Sequence, residues 1–346
     1  MWISQQPSSS RRINSKSGFS NTTVKNVGVI ASGTDTLEGS NSGILIGNMS
    51  TLASIGGWIG QQFYSRGSTN NQIINCYSTD NVSDSAGGIV GYYAGSYSGA
   101  VNIKNCYSTA TTVSGSAGGI VGAYAGIYDG TVTITNCYST ATTLGTYAGG
   151  IIGLYAGSTR GTVNIENCYS IASRLIGSKA SDAKSVPDPI SSGSSAGQWS
   201  YTAAKNYLDI TKWYICDKDT SWTLSPCSNV KVNQETQLIN QETNDANVKK
   251  TYLTQSYIDN IDNWPVVISE STKSNPVTLI LTENIVLTGG TNRYFIFSSP
   301  YVTFDGSGYV ITIADIPDYL GLIQNGTNFT LGYSNTQINN LGIKTS

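Results

Sequence analysis

Residues 101–124 read VNIKNCYSTATTVSGSAGGIVGAY, and residues 132–155 read VTITNCYSTATTLGTYAGGIIGLY. The tetrad Asn-Cys-Tyr-Ser begins at Asn75, Asn105, Asn136 and Asn167, so the copies follow one another at a nearly constant step. Self-similarity at a fixed period of roughly 30 residues marks an array of stacked units. A Gly-rich block keeps the same phase at Ala86–Gly91, Ala117–Gly122 and Ala148–Gly153, and Tyr-Ala-Gly follows each copy.

Ahead of three tetrads lie Val101/Ile103, Val132/Ile134 and Val163/Ile165, with polar residues between them. Apolar residues at every second position describe a strand with one buried face. A unit of this size cannot bury that face alone, so the array folds by stacking at the spacing of paired strands, about 4.8 Å. The pattern predicts an all-β chain, a right-handed parallel β-helix or solenoid with coils of about 30–31 residues.

Equivalent residues then form ladders. Asn75, Asn105, Asn136 and Asn167 suit a tight bend, with amides bonding to the copies above and below. Cys76, Cys106, Cys137 and Cys168 read as a buried, reduced ladder, since stacked parallel side chains rarely offer the disulfide torsion. Zinc is disfavoured by the lack of Cys-x-x-Cys spacing and of any histidine. Cys216 and Cys227 stand apart as a pair that can be bridged in an oxidising environment. Tyr77, Tyr107, Tyr138 and Tyr169 form another ladder, as do Tyr93, Tyr124 and Tyr155. Exposed, either set could stack on sugar rings; its alternative role is packing at the edge of the core.

Composition narrows the function. The 346 residues carry a formal charge of −2 with only 12% charged residues, so there is no basic stripe for nucleic acid. No apolar run is long enough to span a bilayer, and MWISQQPSSSRRINSKSG lacks the apolar core of a signal peptide. Absence of histidine removes the usual general base. The carboxylates available to a glycoside-cleaving site are Asp305, Asp315 and Asp318 beside Pro317, and Asp217 and Asp219, and none forms an evident pair.

Five segments follow: an extended or disordered arm (1–17), irregular lead-in coils (18–69), the regular array (70–170), a polar cap or insertion (171–250) and a second β-helical segment (251–346). Residues 18–32 and 332–346 share seven of fifteen positions at an offset of 314. That offset suggests one large module followed by the opening of the next. Both solenoid ends are then open, and residues 332–346 of one chain would dock on residues 18–32 of another to build a filament.

The Gly-Gly-Ile-Val-Gly and Asn-Cys-Tyr-Ser blocks resemble the GLUG-type repeats of bacterial surface adhesins and of repetitive surface or virion proteins of large DNA viruses. The corner Thr303-Phe-Asp305-Gly306-Ser-Gly308 resembles that of pectin-lyase-like β-helices, over residues 264–346. The resemblance implies architecture and no active site. The expected function is a non-catalytic fibre, spike or capsid-associated component at a virion or cell surface, without cofactor or metal. Its partners are other copies, a carbohydrate or a capsid or surface component, with neither nucleic acid nor membrane insertion. An adhesin and a polysaccharide lyase or hydrolase are the alternatives.

Overall fold

The computed structural model describes residues 20–30, 36–37, 68–172, 174–186, 204, 208, 214–217, 221–223, 248–290, 293–314, 316, 319, 321–325 and 333–345. It is all-β, with a large parallel sheet curled into a half-barrel. The spine of that sheet runs through the strands Thr162–Glu166, Thr131–Thr135, Ala100–Lys104, Asn71–Ile74, Thr23–Ile30, Gln337–Thr345, Val302–Asp305, Val277–Leu281 and Lys249–Leu253, in that spatial order. Smaller parallel sheets accompany it, one holding Asn81–Val82, Thr112–Val113 and Thr143–Leu144, another holding Val266–Ile268, Phe295–Phe297 and Ile323–Asn325.

Alternation becomes register. Ile73, Ile103, Ile134 and Ile165 are successive parallel partners. Val101, Val132 and Val163 form a second buried column while Asn102 and Asn164 face outward. Each buried aliphatic side chain contributes about 1.5–3 kcal/mol, so the columns hold the rungs together. In the second half larger residues fill the same role: Phe295, Phe297 and Phe304 are fully buried, and Trp264 meets Phe295 edge-on at 5.2 Å between centroids. One hydrophobic cluster extends from Val24 to Ile343 through both halves.

The two similar segments, far apart in the chain, are neighbouring rungs. Thr23–Ile30 pairs in parallel with Gln337–Thr345, from Thr23 against Gln337 to Ile30 against Lys344. Side chains repeat the match: Asn21 Nδ2 donates to Asn335 Oδ1 at 3.1 Å, and Ser20 N–H to Ser334 Oγ at 3.1 Å. Similarity over this offset therefore marks adjacency, where a long module period was expected. The physical cause is the ladder itself, which needs the same residue type in adjacent rungs. The contact foreseen between chains is made within one chain.

Stacking also runs on past residue 170, where the repeat motif fades. Ile176, Lys179 and Ser185 bridge to Ile152, Ala156 and Thr162, a shorter step along the chain than the one between rungs of the regular array. In this last described rung Arg174 lays its guanidinium on the carbonyls of Gly145, Thr146 and Ala148. At the opposite end the Gln255 side chain mimics a strand: its Oε1 accepts from Val286 N–H at 2.8 Å and its Nε2 donates to Val286 O at 3.0 Å. Lys249 and Lys250 lie exposed on the outermost spine strand, charges of the kind that discourage edge pairing.

Candidate functional site: side-chain ladders on the stack

The asparagines stand where the chain turns a corner in left-handed conformation, with φ of 53° at Asn75, 52° at Asn105, 53° at Asn136 and 51° at Asn167. Asparagine tolerates that region better than other non-glycine residues. Asn136 Nδ2 donates to Asn105 Oδ1 (2.9 Å), Asn105 to Asn75 (3.0 Å) and Asn75 to Asn26 (3.0 Å). The series continues from Asn26 to Asn340 (2.8 Å) and from Asn340 to Asp305 Oδ1 (3.2 Å). All five bonds run one way, so the aligned amides present their N–H ends to the Asp305 carboxylate, which also accepts from Ser307 N–H at 2.9 Å. A chain of polarised hydrogen bonds ending on an anion is mutually reinforcing. Asp305 is thus the terminus of a structural ladder.

Asn105→Leu leaves two amides without their partner and puts a branched side chain at positive φ. Stability should fall by about 2 kcal/mol, read as a lower urea midpoint. Asn105→Gly, free of the backbone penalty, should fall by less.

Cys76, Cys106, Cys137 and Cys168 are free and buried. Each Sγ lies against carbonyls of its own and the adjacent rung, as Cys106 does with Lys104 O at 3.3 Å and Ile73 O at 3.8 Å. Burial pushes the Cys76 and Cys137 thiols up, away from the reactive thiolate. Among the described residues no group of three His, Cys, Asp or Glu side chains could hold a metal ion.

Tyr77, Tyr107 and Tyr138 stack with their rings nearly parallel, centroids 5.1 Å apart and interplanar angles of 8° and 5°. This ladder is not an open platform. Tyr107, Tyr138 and Tyr169 are buried with Ile171, Ala204 and Leu208 in a second hydrophobic cluster. Two apolar residues of the polar segment thus cover the tyrosines. The ladder stops at Tyr77 because the next rung holds Gly28 in register, where a Cβ would sit 2.2 Å from the Tyr77 ring.

The other tyrosines form an aromatic corner. Tyr93, Tyr124 and Tyr155 have φ of 66°, 56° and 53°, and Tyr97 and Tyr128 have φ of 51° and 57°. Bulky side chains there cost about 1–2 kcal/mol each. Their rings meet at 5.6 Å (Tyr93 and Tyr124), 5.4 Å (Tyr124 and Tyr155) and 4.5 Å (Tyr97 and Tyr128). Tyr155 is 45% and Tyr128 37% exposed, so this corner faces solvent at its outer end.

Burial holds the phenols of Tyr77, Tyr92 and Tyr107 above their ordinary value. The folded state therefore keeps these protons longer than the unfolded chain does. The contribution is fully present below about pH 10, and it is lost as pH climbs from there through the folded values. Thermal midpoints measured across the alkaline range should drop above about pH 10, with tyrosinate absorbance at these sites rising together with unfolding.

Of the other carboxylates considered, Asp315, Asp318 and Asp219 lie outside the described residues, as does Cys227. Cys216 and Asp217 belong to the strand Tyr214–Asp217 and their side chains are not described. Comparison with protein-family models, with curated proteins and with solved structures finds no match. The likeness to GLUG-type repeats therefore rests on its two motifs alone.

Proposed function

We propose that the chain is a non-catalytic structural β-solenoid of a virion or cell surface, with one right-handed coil to each repeat of its regular array. The amide ladder carries this reading. Groups that an active site would leave poised toward a substrate are here bonded from rung to rung, and the carboxylate at Asp305 is engaged as the ladder's last acceptor. Such repetition stiffens a rod and displays one surface many times. Immunogold electron microscopy of the source material tests the proposal. Label on the outer surface of particles or cells is the expected result, and label confined to the interior overturns it.

The aromatic corner favours a second reading, an adhesin that binds carbohydrate. Strained backbone concentrates at functional sites, and here it presents Tyr128 and Tyr155 to solvent. Retention of the protein on an immobilised glycan, lost in Tyr128→Ala and Tyr155→Ala, would support it. Equal retention of the variants would count against it.

A further inference from the structure

The seam between Thr23–Ile30 and Gln337–Thr345 differs from every other junction along the spine. Elsewhere a rung and its spine neighbour are joined by a short stretch of chain, as Val277 is to Val302, Val101 to Val132 and Thr23 to Gln72. At the seam almost the whole chain separates the partners, Thr23 from Gln337 and Ile30 from Lys344. The covalent link between the two halves runs instead through the segment 187–247, from Val186 to Val248. The seam is held by non-covalent contacts alone.

We propose that this seam is exchangeable, so that the strand Gln337–Thr345 of one chain pairs with Thr23–Ile30 of a second copy. The proposal rests on the stacked-rung architecture and is independent of the surface role. Opening the seam would bare one edge of each strand, and bare parallel edges seek a partner. Only a rung with matching chemistry satisfies them. Asn26 requires an asparagine at the Asn340 position, Asn21 one at the Asn335 position, and Gly28 lies in register with Gly342. A second copy supplies all of these in the same register.

The outermost described rungs are poorer docking sites, because Gln255, Lys249, Lys250 and Arg174 already cover or charge them. The segment 187–247 joins the two halves in one chain, and such a link sets the effective concentration of one half for the other at roughly millimolar. Folding when dilute therefore closes the seam within a chain, and folding near that concentration lets a second chain compete. Two reciprocal exchanges make a closed pair, whereas one-way exchange propagates.

The test uses Ser20→Cys and Ser334→Cys in the full chain, with Cys216→Ser and Cys227→Ser to remove other reactive thiols. Ser20 and Ser334 face each other across the seam, with 3.1 Å between Ser20 N and Ser334 Oγ. The double variant is unfolded, refolded at about 1 µM or about 1 mM, well below and near the effective concentration within one chain, and then joined with a short bis-maleimide, which spans two stacked thiols without the torsion a disulfide needs. Non-reducing gels should show a monomer-sized intrachain product at the lower concentration and covalent dimers and larger species at the higher. In a mixture of the two single variants refolded together at about 1 mM, cross-linked dimers should form, while neither single variant alone yields more than a background band. An intrachain bridge at both concentrations, with no linked dimer in the mixture, overturns exchange but leaves the seam standing. No intrachain bridge at the lower concentration overturns the seam and the proposal together.

Discussion

Gly118→Ala is expected to remove about 3 kcal/mol of stability, a large share of the roughly 5–15 kcal/mol that holds an ordinary domain folded. Gly118 opens the tight corner Gly118-Gly119-Ile120-Val121, whose ends both bridge to neighbouring rungs. A Cβ at Gly118 would lie 1.9 Å from Val121 O and 2.6 Å from Gly153 N. Both are backbone atoms held in the stack, so no rotamer change relieves the clash. The same carbonyl approach recurs at Gly87 (1.9 Å from Val90 O) and Gly149 (2.0 Å from Ile152 O), so a shift in one rung is passed to the next. Gly308→Ala is the control. Its φ of 83° makes alanine strained, yet nothing lies within 4 Å of its Cβ, so the loss should stay near about 1–2 kcal/mol. Chemical denaturation of both variants checks the order, and a Gly118→Ala midpoint at or above that of Gly308→Ala would refute the packing argument.

Tyr138→Ala should cost about 3–5 kcal/mol, the usual penalty for deleting a fully buried aromatic ring. Tyr138 has no exposed surface, stacks on Tyr107 at 5.1 Å and shares its cluster with Ile171, Ala204 and Leu208. Its removal would open a gap in mid-ladder that rigid rungs on either side cannot close. Tyr147, 56% exposed, belongs to the surface, and Tyr147→Ala should change stability by no more than about 0.5 kcal/mol. Thermal unfolding of the two variants separates the cases. Equal losses would mean that the ladder stands open to solvent and that Ala204 and Leu208 do not cover it.

The regular array was legible because its period is written in residues that the stack uses directly. Ile103 and Ile134 are partners in sequence pattern and in register alike. The inward thiols and the amide corner also followed from spacing, since equivalent positions in successive units must superpose. Other features left weaker traces. Ala204 and Leu208 cover the tyrosines from within a polar stretch that has no period to announce them. Asp305 was visible only as a turn residue, because its partner Asn340 lies well further along the chain, outside the regular tetrads. The rung after residue 170 shortens its period, and its bridges replace the motif with different side chains.

The seam is the most instructive difference. Residues 18–32 and 332–346 were recognisably alike, and their likeness suggested a repeat of the whole module. A sequence shows that two segments are equivalent but not whether they touch. In a parallel stack, matched asparagines and glycines do touch, so Asn26 and Asn340 carried a contact in the guise of a period.

That contact is the central claim, and methyl-to-methyl nuclear Overhauser effects in a sample labelled at Ile, Leu and Val test it most directly. Val27 pairs with Leu341 and Val29 with Ile343, all buried, at the strand spacing of about 4.8 Å. Cross-peaks for both pairs, as strong as the one between Val101 and Val132 in the regular array, are the predicted result at dilute concentration. A Val101 to Val132 cross-peak without either seam cross-peak would contradict the account.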